Sequence, residues 1–545
     1  MRSLRDQKLN KVEKFKLERH PLEVREAILE SYSKNLSAMD EVPGEVERLK
    51  WVGIYPQKQG GDAFMIRIKI PGGVLSAEQA RTIGRIAVDF ARGPEPNPHF
   101  GNNFLDLTTR QDIQMHWIHM RDVPEIWRRL ESVGMTTVQA CGDSARNVLC
   151  CPVSGLDGEE ILDAYPVAQA ISDYFTGNRE YANLPRKFKM SVTGCLEDCG
   201  QAEINDVGLL PARLEDGTVG FNLRVGGGLS DGPRMASDVD VFVRPEQAVE
   251  ITRAIAQVFG ELGNRENRWA NRLRYLVQEL GSERFREELQ SRASFELTPA
   301  GEDLTKRYRG DHIGVHQQKE DGLYYVGLNV PVGRMSGEHL VEAARLAEEY
   351  GEGVRLATDQ NLILTGVPEE KLDELLDEPL LQRFSPRPGA FERGIVACTG
   401  NEFCRFAIVE TKIRAVEWAK EMDERVGDVG QEAVRMHFSG CSASCAQPQI
   451  GDVGFRGETA KTKDAIVEGV DIGLGGSLGG DAAFIDWIEG ARPAEEVPDA
   501  LVRVFERLKE ERRDGERFHE WARRKKNGEL RDALRGRTPV TVGRK

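Results

Sequence analysis

Hydrophobic and polar residues alternate through FMIRIKI (residues 64–70) and again through YYVGLNV (324–330). That two-residue period predicts strands with one buried face. Each is followed by a serine that opens a segment with apolar positions at helical spacing, SAEQARTIGRIA (76–87) and SGEHLVEAARLA (336–347). A serine there marks a helix start. The likeness runs on. LTTRQDIQMHWI (107–118) matches LATDQNLILTGV (356–367), and QACGDSARNVL (139–149) matches VACTGNEFCRF (396–406). VTGCLEDCGQAEINDVGLL (192–210) matches FSGCSASCAQPQIGDVGFR (438–456), and RVGGGLS (224–230) has a partner in GLGGSLGG (473–480). The matches keep their order at an offset of about 246 to 261 residues, the signature of an internal duplication. The pattern predicts a pseudo-twofold α/β (α+β) protein with a larger α/β segment in each half and a cleft where the halves meet. ENRWANRLRYLVQELGSERFREELQ (266–290) predicts a charged linking helix between them.

A chain of 545 residues is long enough for three or four domains. No apolar run approaches the roughly eighteen residues of a membrane span. The opening MRSLRDQKLNKVEKFKLERHP lacks the apolar core of a secretory signal, so the expectation is a cytoplasmic protein without a membrane partner. A net charge of −15 argues against general nucleic-acid binding. Residues 503–545 nevertheless carry 15 Lys/Arg against 8 Asp/Glu, which suits either a solvated helical tail or a landing surface for an acidic protein. Nine clustered cysteines without a secretion signal point to metal or redox use rather than disulfides.

Four of these thiols stand as Cys398-x5-Cys404 and Cys441-x3-Cys445. The wider gap suits zinc less well than an iron–sulfur cluster, whose loops wrap a bulkier object, although zinc and four unrelated buried thiols remain open. Cys141, Cys195 and Cys199 align with three of the four, with Asn147 at the fourth position; Cys150 and Cys151 fall out of register. These five are expected to be remnants of the duplication or ordinary buried thiols. The first half carries cations instead: Arg110, Arg146, Lys187 and Lys189. Lys187 and Lys189 flank Phe188 and share one strand face. Such charges are usually solvated, but four converging on a cleft would bind an anion and donate protons.

TTRQDIQ, CGDSARNVLCCPVSG, LPRKFK, INDVGLL, VGGGLS and the two cysteine pairs together resemble the siroheme-containing, ferredoxin-dependent nitrite and sulfite reductases over nearly the whole chain. The resemblance implies two ferredoxin-like half-domains and two larger siroheme- and cluster-binding domains. The expected boundaries are a helical extension (1–48), half-domain 1 (49–128), the siroheme and substrate domain with the linking helix (129–300), half-domain 2 (301–380), the cluster domain (381–502) and a basic helical tail (503–545). It further implies siroheme joined to a [4Fe–4S] cluster held by Cys398, Cys404, Cys441 and Cys445, with Cys445 bridging to the siroheme iron. Arg110, Arg146, Lys187 and Lys189 would surround a small inorganic anion and supply protons, with Arg110 and Arg146 also meeting the cofactor. Gly226, Gly227 and Gly228 would let the backbone approach the cofactor, unless they serve as tight turns only.

Nitrite reductases of this family typically carry Asn at the position of Lys189, and His116 also resembles the sulfite branch. The expectation is therefore an assimilatory sulfite reductase taking sulfite to sulfide, with ferredoxin–nitrite reductase as the alternative and a non-catalytic iron–sulfur or siroheme redox protein as the remote one. No dinucleotide or flavin motif is visible, so ferredoxin is the expected donor, meeting Lys8, Lys11, Lys14 and Lys16 or the basic tail. Some members of the family link a tyrosine to a cysteine beside the siroheme. Cys151 falls at that cysteine's position, and with no tyrosine in reach near residues 58–66 the link is not expected here.

Overall fold

The computed structural model describes residues 8–537. The chain forms two compact units. The first takes in the residues up to Gly228, Pro233–Leu328 and Arg334–Arg383; the second has Leu229–Gly232, Asn329–Gly333 and the chain from Phe384.

After helical segments that run from Lys11 to Val52, the first unit forms β1 (Ile54–Pro56), β2 (Phe64–Ile68), β3 (Val74–Ser76), β4 (Phe104–Leu107) and β5 (Ile113–Ile118). A larger sheet follows, from β6 (Ala145–Cys150), β7 (Phe188–Val192), β8 (Val207–Arg213), β9 (Val219–Val225), β10 (Ser237–Val243) and the short β11 (Glu302–Asp303). Then come β12 (Gly314–Gln317), β13 (Leu323–Leu328), β14 (Arg334–Ser336), β15 (Gly353–Leu356) and β16 (Leu362–Pro368). The two small sheets exchange a strand. One runs β1-β2-β5-β4-β14 and the other β12-β13-β16-β15-β3, so each half-domain is completed by a strand of its counterpart. Arg334 on β14 faces Asp106 on β4 and holds its carboxylate from two nitrogens, at 2.7 and 3.0 Å. The exchange is echoed by the side chains: Gln111 donates to the Leu356 carbonyl at 2.9 Å and Gln360 to the Leu107 carbonyl at 3.0 Å.

The serines read as helix starts cap the helices Ala77–Phe90 and Gly337–Tyr350, each within a reciprocal capping box. The helices touch where Gly84 meets Gly337. A Cβ on Gly84 would lie 2.6 Å from the Gly337 carbonyl oxygen, so this approach requires glycine.

The second unit holds β17 (Ile395–Ala397), β18 (Met436–Ser439), β19 (Val453–Lys461), β20 (Ile466–Leu474), β21 (Asp486–Trp487) and β22 (Arg492–Pro493). β17, β18 and β19 run parallel and β20 and β21 antiparallel, the directions found in β6 to β10. This duplicated α/β architecture is the expected fold. The linking helix departs from expectation: it begins only at Leu273 and is broken at Gly281, whose φ is 74°. Arg272 stays extended because its guanidinium is bound to Asp206.

Candidate functional site

The first unit gathers the four cations singled out in the sequence. Lys187 and Lys189 are half-buried on either side of the fully buried Phe188, as the strand period requires. The Lys189 backbone N–H donates to Asp206 at 2.9 Å, and Asp206 in turn receives Arg272 from two nitrogens. Burial lowers the Lys189 ammonium well below its usual range, and Arg110, Lys187 and Arg272 push it the same way, with Asp206 opposing. Arg110 donates to the Asn205 side chain at 2.8 Å and to the Asn147 carbonyl at 2.5 Å, while its Nε is buried without a partner. Burial lowers Arg110 to about 10, although Asp112 works against the shift. Arg146 is tied to the carbonyls of Gly142 and Ala140 at 2.9 and 3.3 Å. A guanidinium with an unused buried donor beside two lysines suits an incoming anion.

Sequence reasoning missed several members of this cluster. Lys69 is buried and donates to Thr176 at 2.7 Å; burial lowers it to about 8. Asp112, the carboxylate among Arg67, Arg110 and Lys69, is raised to about 6 by burial despite those cations. Arg272 and Arg274 were absorbed into the linking helix. Gly226 and Gly228 lie against them: a Cβ on Gly228 would stand 3.3 Å from Arg272 and 3.4 Å from Arg274. Gly227 is pressed on the carbonyls of Asn205 and Glu203, at 2.6 and 2.7 Å from a built Cβ, so packing alone requires it. Gly476 packs in the same way on the carbonyls of Gln449 and Gly451, both at 2.6 Å.

The second unit carries the four cysteines on two loops, Cys398 and Cys404 after β17 and Cys441 and Cys445 after β18. Cys398 Sγ accepts backbone N–H bonds from Gly400 at 3.4 Å and Gly440 at 3.2 Å, and Cys404 Sγ accepts from Phe406 at 3.5 Å. Burial pushes the Cys398 thiol up to about 12, with Cys445 adding to the shift, and burial likewise raises Cys441. Thiols gathered and aimed in this way ionise together only around a cation, and N–H donors to sulfur are what an iron–sulfur cluster uses. The residues fit the group that the resemblance implies.

Four expectations need correction. Lys16 is no docking residue: it is buried, donates to the Leu184 carbonyl at 2.8 Å and pairs with Glu13 at 2.5 Å. His116 lies 3.4 Å from Asp106, beside the exchanged strand, where its place is explained by the half-domain sheet. Cys141 is not the counterpart of Cys398. Cys150 on β6 pairs with Val192, and Ala397 on β17 pairs with Phe438, so the residue that follows each strand end is Cys151 in one unit and Cys398 in the other. Lastly, Cys151 lies with Cys195 and Cys199, whereas Cys141 takes a bond from Arg67 at 3.1 Å and meets the Tyr55 phenol, a tyrosine that the sequence reading overlooked.

Comparison with known proteins adds the rest. Residues 141–297 and 389–540 match the nitrite and sulphite reductase 4Fe-4S domain, and residues 55–133 and 316–381 match the nitrite/sulfite reductase ferredoxin-like half domain. The assimilatory ferredoxin-dependent nitrite reductase of Haloferax mediterranei is 44% identical over 87% of this chain and 84% of its own. The ferredoxin–nitrite reductase of Synechococcus elongatus is 42% identical over 92% and 96%. The solved structure of the Mycobacterium tuberculosis NirA protein superimposes with a TM-score of 0.89 at 33% identity, covering 97% of this chain and 98% of that one. These relatives overturn the placement nearest the sulfite branch, because Lys189 alone does not outweigh likeness along the whole chain. Among the described residues no helix is long and apolar enough to cross a membrane. The chain belongs to the family of nitrite and sulfite reductases that work with siroheme and a [4Fe–4S] cluster.

Proposed function

We propose that this protein is a ferredoxin-dependent nitrite reductase, converting nitrite to ammonia in six one-electron steps. The observation that carries the reading is the identity of 44% and 42% to ferredoxin-dependent nitrite reductases over most of both chains. Cys398, Cys404, Cys441 and Cys445 would hold the cluster, and Cys445 would also ligate the siroheme iron. When bound, these groups supply single-electron relay and an open iron position for the anion. Arg110, Arg146, Lys187 and Lys189 bind and neutralise the nitrite. Lys187 or Lys189 would donate a proton to an oxygen leaving as water, and burial with the neighbouring cations lowers the Lys189 ammonium well below its ordinary range. An acidic ferredoxin would dock on basic surface, for which exposed Lys8, Lys11 and Lys14 or the tail are candidates.

A second reading, sulfite reduction, is favoured by one residue, Lys189, whose extra positive charge suits a more highly charged anion. The test is anaerobic turnover of both anions with reduced ferredoxin, quantifying ammonium and sulfide. Nitrite is expected to have the higher kcat/KM; a clear preference for sulfite would replace the proposal by the second reading. Lys189→Asn is expected to lower sulfite turnover more than nitrite turnover, because the family's nitrite reductases typically carry Asn at that position. An unchanged nitrite rate with a collapsed sulfite rate would make Lys189 a sulfite residue.

A further inference from the structure

Cys151, Cys195 and Cys199 occupy the places in the first unit that Cys398, Cys441 and Cys445 occupy in the second. The strand register equates Cys151 with Cys398, and Cys195 and Cys441 each stand three residues beyond the matched positions Val192 and Phe438. The loop backbones agree as well: Asp198 and Gln201 have φ of 51° and 61°, and Ser444 and Gln447 have 57° and 59°. The fourth ligand differs. Six residues after Cys398 comes Cys404, whereas six after Cys151 comes Asp157.

A histidine from a distant segment stands in that group instead. Donor atoms of Cys151, Cys199 and His312 lie within 4.8 Å of one another, the one such group of three among the described residues. The Cys195 sulfur lies in one buried cluster with Cys151 and Cys199, near enough for both thiols and for the backbone N–H groups of Glu197 and Cys199 to act on it. His312 Nε2 is buried and without a hydrogen-bond partner. The three cysteines are at most 4% exposed, and Val153, Tyr325 and Ile363 pack around them.

We propose that Cys151, Cys195, Cys199 and His312 bind one zinc ion as a structural Cys3His site. A tetrahedral zinc with Zn–S bonds of about 2.3 Å sets its donor atoms about 3.8 Å apart, inside the 4.8 Å limit that Cys151, Cys199 and His312 meet; Cys195 is outside that group and would turn its sulfur in from beside the two thiols. An iron–sulfur cube spreads its thiolates over four irons and needs a wider nest. The Cys195-x3-Cys199 pair has zinc-type spacing, and the N–H donors hold its sulfur as second-shell bonds do. Three thiolates, a neutral imidazole and Zn²⁺ leave one negative charge. Arg355 stands at the same loop, donating to the carbonyls of Pro152 and Ser154 at 3.2 and 2.9 Å. The ion would rivet the end of β6, the β7–β8 turn and the segment leading into β12. Weaker bonds already join the last two, from Lys306 and Arg307 to the Leu196 carbonyl at 3.1 and 3.0 Å.

The test is elemental analysis and zinc-edge X-ray absorption on the holoenzyme, grown with zinc and purified without metal-affinity resin. The zinc edge is separate from iron, so siroheme and cluster do not obscure it. The expected result is one zinc per chain beyond the iron, in a shell of three sulfurs at about 2.3 Å and one nitrogen at about 2.0 Å. His312→Ala is expected to remove the nitrogen or empty the site while the iron-to-siroheme ratio stays constant. Absence of zinc, iron in this site, or a shell of oxygen and nitrogen only would overturn the proposal. Should the variant fail to fold, the wild-type spectrum still decides.

Discussion

Two sheets of one topology, β6–β10 and β17–β21, have been put to different uses. Their backbones agree in detail. Asp206 and Asp452 each accept a backbone N–H near the start of the neighbouring strand, that of Lys189 in one and of Arg435 in the other, both at 2.9 Å. Gly226 and Gly475 each donate to the carbonyl of that aspartate at 2.9 Å. The difference lies in side chains on the conserved frame. One unit sets buried cations around Asp206 and draws two thiols, Cys151 and Cys199, within 4.8 Å of His312 with Cys195 in the same cluster; the other sets four thiols on its loops, with Cys445 exposed. A duplicated backbone thus fixes where ligands can stand, and the spacing between donors selects what they hold.

The largest effect that would sharpen this contrast is expected from Cys441→Ser in the second unit. It should abolish turnover and strip cluster iron, read by iron content and visible absorption; full cluster occupancy would erase the distinction between the two loops. Next comes Asp143, which anchors the approach to β6. Burial alone would raise its carboxyl, yet Lys16, Arg268 and Arg186 hold it well below the usual range. Asp143→Ala leaves Lys16 buried and undercompensated, so about 3–5 kcal/mol of stability should be lost, measured by denaturant unfolding at pH 7. Because the carboxyl is depressed, its contribution is present above its ordinary pKa and fades as the pH falls.

Asp112 tests the half-domains, since its counterpart in the duplicated motif is already Asn361. Burial raises its folded pKa to about 6, above the ordinary carboxylate range, so folding favours the protonated form. Wild-type stability should fall relative to Asp112→Asn by about 3 kcal/mol as the pH rises from 4 to 7. A gap independent of pH would mean that the carboxylate is better compensated than its burial implies. The smallest effect belongs to the helix contact: Gly84→Ala forces a methyl against the Gly337 backbone and should cost about 1–3 kcal/mol, read from the thermal midpoint.

Much of this was legible in the chain. Alternation in FMIRIKI and YYVGLNV, the capping serines and the ordered repeats gave the duplicated fold, because strand period, helix start and repetition are local properties. Arg110, Arg146, Lys187 and Lys189 do come together, since each is fixed near a repeated motif. The counterpart of Cys398 is not legible in the chain, because QAC resembles VAC locally while only the parallel register sets Cys151 at the strand end. The partner of Cys141 was overlooked because Tyr55 is far from it in sequence and near it only across the fold.

The sequence by itself therefore determined the family, the duplication and the residue types available for chemistry. The tertiary structure alone decided which of them meet: the exchange of β3 and β14, the buried position of Lys16, and the arrival of His312 beside Cys151 and Cys199. The physical reason is that periodicity and capping act over a few residues, whereas a ligand set is assembled by strand register and loop packing between segments more than a hundred residues apart.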